Sequence, residues 1–395
     1  MSGPLAGTRV VEMATTISGP YAAMLLGDLG AEVIKVEAPE GGDPFRRWGG
    51  HQSGVRPQFS AYNRGKKSIC LDVKTPDGRD AFRRLAATAD ILVENFRPGT
   101  MDRLGIGYED LRPGNPRLVY TSISGFGRTG PFAGRPSYEN VTLALSGLWS
   151  RLVDLRRPRP IGPNLADQLT SLYAVYGTLA ALHHASRTGQ GQRVDVSMLV
   201  ASMAFLTEPI ANFFAIGEVG DLDTRARRSQ AYALLARDGL PLAVHLSSVP
   251  KFWEGLLRAI EQPQLAADPR FATNGDRIRN YDSLRETLDR TFLARDRDDW
   301  LARLEAADVP AAPIRTIAEA VTSPEAQVLG AVREYGTGPR AVTLVRCPVD
   351  FSLTPASSDL APPDLGEHSD EVLASLGPGV PIPDSAVRRA DGQDA

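Results

Sequence analysis

The sequence predicts an α/β protein with a mostly parallel sheet covered by helices, together with a smaller α+β domain. Strand-like and helix-like segments alternate through the first 200 residues, and this alternation is typical of parallel sheets. The residue pattern changes near position 220, where a hairpin and amphipathic helices replace it. The chain has 395 residues, of which 42% are hydrophobic, so it can form two hydrophobic cores.

The first elements form two successive strand–helix–strand units. "TRVVEMA", starting at Thr8, is a β-branched strand, "GPYAAMLLGDLG" has helical spacing, and "AEVIKVE" is a second strand. "KKSICLDV", "PDGRDAFRRLAATA" and "DILVENF" repeat that order, and "RLVYTSISGF" adds a further strand. Parallel strands joined by helices place their carboxyl ends at one edge of the sheet, where such folds bind ligands.

A long helix and a broken apolar helix follow. The periodicity predicts a helix over 168–186, ended by "RTGQGQ" before the strand "RVDVSM". Its apolar stripe consists of Leu169, Leu172, Tyr176 and Leu179. The run 198–217 is the most membrane-like, but Thr207, Glu208 and Pro209 interrupt it. This interruption predicts a buried helix with a break rather than a membrane span.

The rest of the chain predicts a smaller domain and a return to the first. "AYALLARDGLPLAVHLSS" is typical of an antiparallel hairpin around Asp238 and Gly239, and amphipathic helices follow it. "VPAAPIRTIAEAV" is interpreted as the return, and the Pro-rich tail from about residue 376 is expected to be mobile. The predicted division is a large domain over 1–220, a small domain over 221–312 and a returning segment over 313–395.

Composition argues against several classes of function. The net charge of −3 and the pI near 6.0 give no overall basic field, so no nucleic-acid partner is expected. Cys70 and Cys347 are too few for a disulfide framework or a four-ligand zinc site. We expect no secretory signal, no membrane association and a cytoplasmic location. The histidines are scattered, which predicts no metal site; they are His51, His183, His184, His245 and His368.

Two further patterns suggest ligand sites. "SGFGRTGPFAGRP" contains a G-x-G-x-x-G match after a strand, but Pro131 and Pro136 block the helix that a dinucleotide site requires. A G-x-S-x-G elbow of an α/β-hydrolase is absent from the sequence. Basic residues outnumber acidic ones over 45–103, and this surplus either is a solvated surface or holds a phosphate-bearing ligand.

Asp167 precedes the long apolar helix and has two interpretations. An aspartate directly before an apolar periodic run is a favoured N-cap residue, because its carboxylate accepts hydrogen bonds from free N–H groups. The same carboxylate is a candidate nucleophile, since an ordinary aspartate is ionised at neutral pH and needs no separate base. Spacing alone favours the cap.

Seven longer motifs follow one another along the chain: "GPYAAMLLGDLGAEVIKVE", "NRGKKSICLDVKTPDGR", "ENFRPGTMDRLGIGYEDL", "SGFGRTGP", "LADQLTSLYA", "RTGQGQRVDVSM" and "LGEHSDEVLASLG". In this order they resemble the class III coenzyme A transferases, a family that includes carnitine-type and formyl-type transferases and α-methylacyl-CoA racemases. The resemblance covers nearly the whole chain. It implies a large Rossmann-like domain, a smaller domain and an interlocked homodimer.

The resemblance also implies the reaction and the roles of three residues. The enzyme would transfer CoA from an acyl-CoA donor to a carboxylic acid acceptor, with CoA thioesters as substrates and no tightly bound cofactor. In "LADQLTS", Asp167 matches the aspartate that forms an aspartyl anhydride and then an aspartyl-CoA thioester. Racemases of the family carry a histidine where this chain has Tyr138, and tyrosine is a poor base at neutral pH. Glu139 either orients groups around Asp167 or faces solvent.

Two alternatives to transfer stay open from the sequence. One is an acyl-CoA racemase or epimerase that exchanges the α-proton, and the other is a CoA-binding protein without turnover. The resemblance further implies the residues that contact CoA: Ser18, Gly19, Asp72, Val73, Lys74, Asn95, Phe96, Arg97, Arg103, Pro136 and Ser137. Lys74, Arg97 and Arg103 are the expected phosphate partners.

Two positions depart from the family pattern. Many relatives have a basic residue where this chain has Ala38, which leaves one adenine or phosphate contact in doubt. Formyl-type enzymes carry a run of glycines in the small domain, whereas the corresponding stretch here has only Gly239. Formyl and oxalate substrates are therefore not implied.

Overall fold

The computed structural model describes residues 3–48, 56–247, 249–355 and 359–377. His51 and the predicted mobile tail from residue 378 onward lie outside these residues. The strands are β1 Arg9–Met13, β2 Glu32–Glu37, β3 Lys66–Cys70, β4 Ile91–Glu94, β5 Val119–Ser124, β6 Arg193–Ser197, β7 Ala231–Leu235, β8 Pro241–His245, β9 Ala311–Pro313, β10 Val332–Tyr335 and β11 Val342–Val345.

The first helix, α1, follows β1, and the other helices are spread along the rest of the chain. They are α1 Ser18–Asp28, α2 Pro57–Asn63, α3 Pro76–Ala87, α4 Thr100–Arg103, α5 Tyr108–Leu111, α6 Glu139–Leu145, α7 Leu165–Thr188, α8 Met198–Ala204, α9 Thr207–Ile216, α10 Thr224–Ser229, α11 Pro250–Ala259, α12 Asn274–Arg279, α13 Tyr281–Phe292, α14 Arg297–Ala306, α15 Ile317–Val321, α16 Pro324–Val328 and α17 Ser369–Ser375.

Six strands of the described chain form one sheet in the order β3-β2-β1-β4-β5-β6. Every pair in it is parallel, with Val10 opposite Val33 on one side and Ile91 on the other. The predicted α/β class and parallel sheet are thereby confirmed. The strand order reverses between β1 and β4, and doubly wound folds bind ligands at such a switch point, outside the carboxyl ends of the strands.

Helices pack on both faces of this sheet because successive strand residues point to opposite sides. Val10 joins one core with side chains of α1 and α7, including Leu26 and Ala181. The neighbouring Val11 joins the other core with side chains of α3 and α17, including Phe82. Burying a side chain of this kind contributes roughly 1.5–3 kcal/mol. The two cores fix the carboxyl end of β1 and the first turn of α1.

Helix α7 begins at Leu165, earlier than the predicted start at 168. Its buried positions are mostly small or hydroxylated, namely Ala166, Thr170, Ser171, Ala174, Thr178, Ala181 and Ala185. Leu172 and Tyr176 of the predicted stripe are exposed, whereas Leu179 packs against the core, so the predicted packing face was wrong at the first two of these positions. Small residues let the helix approach the sheet closely, and the hydroxyls of Thr121 and Thr178 hydrogen-bond at 2.6 Å.

The apolar run 198–217 is broken, as predicted, between Ala204 and Thr207. Helix α9 has no buried residue within the described chain, so the prediction that the whole run is buried was wrong. Within the described parts of the chain, no single helix is long and apolar enough to cross a membrane. Helices α8 and α9 meet the length and composition criteria only when they are counted together as a bent pair.

The chain divides into two compact units. The first contains residues 1–149, 159–207 and 330–395, and the second contains 150–158 and 208–329. In the second unit, β7, β8 and β9 form a small antiparallel sheet, and Gly239 has φ +76° in the β7–β8 turn. The hairpin prediction is confirmed. Because β9 pairs with β8, the segment around 313 stays in this unit and the chain returns only at 330.

Candidate active site

Loops that follow β1, β2, β3, β4 and β5 line three cavities of the first unit that share lining residues. Cavity A has about 290 Å³ and is lined by Thr15, Thr16, Ser18, Pro44, Asn95, Phe96, Arg97, Pro98, Ile123, Ser124, Gly125, Ala133, Arg135, Pro136, Ser137, Tyr138, Asp167 and Met198. Cavity B has about 570 Å³ and shares Thr15 and Phe96 with cavity A. Cavity C has about 760 Å³ and shares Thr16, Pro44, Tyr138 and Asp167 with cavity A.

Asp167 is a partly buried residue in the first turn of α7, and it lines cavities A and C. The N-cap residue is Asn164 rather than Asp167, so the cap interpretation of Asp167 was wrong. Glu139 takes over that role, because its Oε1 and Oε2 accept hydrogen bonds from the backbone nitrogens of Ala166 and Asp167 at 3.0 and 2.9 Å. Glu139 therefore orients the group beside it, and the carboxylate of Asp167 stays available to the cavities.

The electrostatic surroundings of Asp167 depart from those of an ordinary aspartate. The pKa of Asp167 is raised to about 7, because burial and, to a lesser extent, the nearby Glu139 carboxylate raise it more than a hydrogen bond from Ser18 lowers it. Near neutral pH the carboxyl group is thus close to the midpoint of its titration. Perturbed carboxyl groups in clefts are typical of functional sites. The expectation that this aspartate is fully ionised at neutral pH is corrected.

Ser18 and Asn95 connect the switch point of the sheet to Asp167. Asn95 accepts a hydrogen bond from the Thr15 nitrogen at 2.9 Å and donates to the Thr15 oxygen at 2.8 Å. It also donates to the Ser18 hydroxyl at 3.2 Å. The Ser171 hydroxyl lies 2.8 Å from the carbonyl oxygens of both Ser18 and Asp167. These bonds fix the first turn of α1 against the first turn of α7.

Gly19 is required by packing at this junction. A Cβ atom at position 19 would lie 2.3 Å from the Cβ of Ala14 and 3.2 Å from the Cγ of Asn95. No larger residue fits between the carboxyl ends of β1 and β4 without displacing one of them. Gly19 thus supports the site from behind, and it is not itself a lining residue of the three cavities.

A buried ion network supports the loop between β1 and α1. Thr16 has φ +65°, and its backbone nitrogen donates to both carboxylate oxygens of Asp43 at 3.2 Å. Lys35 lies 3.0 Å from Asp43 and 2.7 Å from Glu12, and Lys66 lies 2.6 Å from Glu12. These charged side chains have no exposed surface or almost none. Since Thr16 lines both cavities A and C, the network holds a wall of the site.

The structure brings most of the expected CoA contacts together. Asp72, Val73 and Lys74 line cavity B with Phe96, and Asn95, Arg97, Pro136, Ser137 and Ser18 line cavity A. Ala38, the departure from the family pattern, also lines cavity B. Arg103 is exposed on α4, donates a hydrogen bond to the Thr100 hydroxyl at 3.1 Å, and lines none of the three cavities.

The glycine-rich segment after β5 is not followed directly by a helix. The next helix after Ser124 begins only at Glu139, so the predicted interruption of the helix that a dinucleotide site requires is confirmed. Gly125 instead permits a close approach, because a Cβ there would lie 2.2 Å from the Cβ of Ser137. The segment closes cavity A against Ser137 and Tyr138.

Sequence reasoning missed one wall of the site, the segment 43–48 after β2. Pro44, Phe45, Arg47 and Trp48 line cavity C with Asn140, Ile161 and Asn164. An available signal was "DPFRRW", in which aromatic and basic residues follow a turn-forming Asp-Pro pair at the end of a parallel strand. Only the folded chain shows that this segment reaches Asp167.

Comparisons with known proteins agree with this geometry. The family model for CoA-transferase family III matches residues 5–369. The succinate–glutarate CoA-transferase of Agrobacterium fabrum is 36% identical over 94% of this chain and 96% of that protein. The acetyl-CoA:oxalate CoA-transferase of Acetobacter aceti is 36% identical over 82% and 84%, respectively. The crystal structure of a CAIB/BAIF family protein from Brucella suis covers 95% of this chain and 100% of its own, with TM-score 0.85 and 35% identity.

Proposed function

Because this chain belongs to CoA-transferase family III and moves CoA from an acyl-CoA to a carboxylate, we propose that Asp167 carries the transfer as a covalent nucleophile. The observation that supports this role is the position of Asp167, a residue that lines both cavity A and cavity C. Cavities A and B are lined by most of the residues expected to contact CoA, and cavity C shares Asp167 with cavity A. Donor and acceptor acids thus both reach Asp167.

The proposed reaction conserves the thioester bond. An oxygen of Asp167 attacks the carbonyl carbon of the acyl-CoA, the carbon–sulfur bond breaks, and CoA leaves as a thiolate. The thiolate then attacks the Asp167 carboxyl carbon, the anhydride bond breaks, and the donor acid leaves as a carboxylate. The enzyme now holds an aspartyl-CoA thioester.

The second half of the reaction reverses these steps with another acid. The acceptor carboxylate attacks the aspartyl-CoA carbonyl carbon and expels the thiolate, which gives an anhydride between the acceptor and Asp167. The thiolate attacks the acceptor's acyl carbon and releases the new acyl-CoA with a free Asp167 carboxylate. Both intermediates are open to hydrolysis, so the site must exclude water during turnover.

Ser18, Glu139 and the helix terminus set the reactivity of Asp167. The ionised form attacks, and it is favoured by the Ser18 hydrogen bond and by the positive potential of the first turn of α7. Burial and the charge of Glu139 oppose ionisation of Asp167. Burial also keeps the ionised carboxylate weakly solvated. A weakly solvated carboxylate is a better nucleophile than one that water stabilises.

The acceptor class follows from the acids in the names of the relatives. Succinate, glutarate and oxalate each carry two carboxyl groups. A dicarboxylic acid is therefore the first acceptor class to test. Cavity C, at about 760 Å³, is within the size range of small-molecule sites.

The assembly and location belong to the same proposal. An interlocked homodimer in the cytoplasm is consistent with the family resemblance and with apolar side chains that the single chain exposes. Tyr176 on α7 is 74% exposed and Phe214 on α9 is 81% exposed, and apolar surface of this kind is typical of interfaces. Sedimentation equilibrium of the purified protein tests the dimer, and a monomer at micromolar concentration would contradict it.

Chemical trapping tests the covalent mechanism. The protein is incubated with an acyl-CoA and a dicarboxylic acid, quenched with hydroxylamine and digested for mass spectrometry. A hydroxamate on Asp167 is the expected product, since hydroxylamine attacks both proposed intermediates. Modification of another residue, or full activity of Asp167→Asn without deamidation, would show that the mechanism is wrong.

A further inference from the structure

We propose that Arg47 binds the remote carboxylate of a dicarboxylic acid in cavity C and so selects diacids over monoacids. This inference rests on the proposed function, because it needs the near carboxyl group of the same acid at Asp167. Arg47 and Asp167 line the same cavity. Arg47 is its cationic side chain among the described lining residues, whereas Glu139 and Asp167 are its acidic ones.

The segment that carries Arg47 is anchored firmly. Asp43 caps the short 3-10 turn Pro44–Arg46 by accepting a hydrogen bond from the Phe45 nitrogen at 2.9 Å. The preceding Arg46 is buried, and its guanidinium forms two hydrogen bonds with Glu37 at 2.7 and 2.6 Å. Phe45 is buried too. These contacts hold the backbone of Arg47 in place at the edge of the cavity.

The guanidinium of Arg47, in contrast, has no acidic partner within the described residues. It forms no ion pair or side-chain hydrogen bond there, although the adjacent Arg46 is fully paired. Arg47 is exposed at the edge of the cavity, and its Nη1 lies close to Gly41, where an added Cβ would be 2.7 Å away from it. An arginine held at a cavity wall without an acidic partner has its donors free for a ligand carboxylate.

The rest of cavity C fits a short diacid. An acid with two negative charges is repelled by Glu139 and by ionised Asp167, so its binding requires a cation at the far end. Arginine binds carboxylates through two parallel hydrogen bonds. These bonds select the orientation of the carboxylate, in addition to the attraction between the charges. Ile17, Phe45 and Ile161 give apolar walls for the methylene groups between the two carboxylates. A monoacid of equal length gains nothing from Arg47.

The test compares isotope exchange between an acid and its own CoA thioester. Labelled succinate with succinyl-CoA is measured beside labelled butyrate with butyryl-CoA, which has the same chain length and one carboxylate fewer. In Arg47→Met we expect succinate exchange to fall at least about tenfold, while butyrate exchange stays within about twofold. Arg47→Lys keeps the positive charge but loses the paired N–H donors of the guanidinium. Its succinate exchange therefore lies between that of the wild-type protein and that of Arg47→Met. Arg285→Gln, an exposed arginine on α13, is the matched control and leaves both exchanges unchanged.

The outcomes separate the two proposals. Wild-type protein that exchanges no acid at all overturns the proposed function, and the assignment of Arg47 falls with it. Exchange that proceeds with both acids, but with a succinate-to-butyrate ratio unchanged in Arg47→Met, overturns the assignment of Arg47 alone. A ratio that falls in Arg47→Met and partly recovers in Arg47→Lys supports it.

Discussion

Glu139 caps the helix that carries Asp167, and the two carboxyl groups act on each other. Glu139 accepts hydrogen bonds from the backbone nitrogens of Ala166 and Asp167, while its negative charge helps to raise the pKa of Asp167. One side chain thus orients the proposed nucleophile and holds its titration near neutral pH. Variants at Glu139 and Ser18 separate these two effects.

The acid limb of the pH profile reports the ionisation of Asp167. Since the ionised form attacks, kcat/KM rises with pH through an apparent pKa of about 7 in the wild-type protein. Glu139→Gln removes the repelling charge and keeps an oxygen that accepts a hydrogen bond. The limb therefore moves to lower pH, though not to that of a free aspartate, because burial is the larger cause. Glu286→Gln, at an exposed position of α13, leaves the limb in place, and an unshifted limb in Glu139→Gln contradicts the coupling.

Ser18→Ala shifts the same limb in the opposite direction. The Ser18 hydrogen bond lowers the pKa of Asp167, so its loss leaves a less acidic carboxyl group. We expect the limb to move to higher pH and kcat/KM at pH 7 to fall about three- to tenfold. The measurement is the pH dependence of kcat/KM with a fixed acid and acyl-CoA. A shift of both variants in one direction would show that the assigned contacts are wrong.

Asp167→Asn is expected to lower activity and to raise stability. Loss of the nucleophile lowers kcat at least about a thousandfold. The folded pKa of Asp167, about 7, is above the ordinary value of 3.8, so the folded chain binds more protons than the unfolded chain between these values. The contribution of Asp167 to the free energy of unfolding therefore falls as pH rises from about 4 to 7. The variant is more stable than wild type at pH 8 by at least about 1 kcal/mol, and the gain shrinks at pH 5. Urea unfolding at both pH values measures the difference, and equal gains would contradict the assigned titration.

Lys35→Met tests the buried ion network behind the cavities. Lys35 has no exposed surface and pairs with both Glu12 and Asp43. Its removal leaves the buried Asp43 without its cation and Glu12 with Lys66 alone, which costs about 3–5 kcal/mol of unfolding free energy. Lys251→Met breaks an exposed pair with Asp308 and is the control, with no measurable change expected. Equal stabilities of the two variants in denaturant titrations would contradict a structural role of the network.

Transfer and racemisation differ in the fate of the α-proton. Tyr138 is at the cavity and is 74% exposed, and it is a poor base for a carbon acid at neutral pH. During turnover in deuterated water, we expect no deuterium at the α-carbon of the recovered acyl-CoA. Mass spectrometry of the thioester measures this directly. Deuterium incorporation at a rate comparable to CoA exchange would favour the racemase alternative.

The fold class follows from local sequence because each strand–helix unit carries its own periodicity. The runs around Val10, Val33 and Ile91 are apolar on both faces, as in a sheet covered on both sides. The first residue of α7 was harder to predict than the fold class, because Asn164 and Asp167 both suit a helix N-terminus. The packing face of α7 was misread because small residues, rather than the large Leu172 and Tyr176, contact the sheet.

Some residues of the candidate site could be predicted from the sequence, and others could not. Asp167 and most of the residues expected to contact CoA lie in the quoted motifs, so the resemblance to a family identified them in the sequence. Arg47 and Trp48 lie in no such motif, and their role depends on Asp43, Arg46 and Gly41 holding their segment beside cavity C. Contacts between positions so distant along the chain leave no periodic signal.

By itself the sequence determined the parallel α/β architecture, the family and the aspartate most suited to covalent chemistry, because these depend on local patterns and on motifs. Only the tertiary structure decided that Glu139 caps α7, that Asp167 titrates near neutral pH, and that Arg47 shares a cavity with it. Burial and through-space charge set these properties, and both exist only once distant segments have packed together.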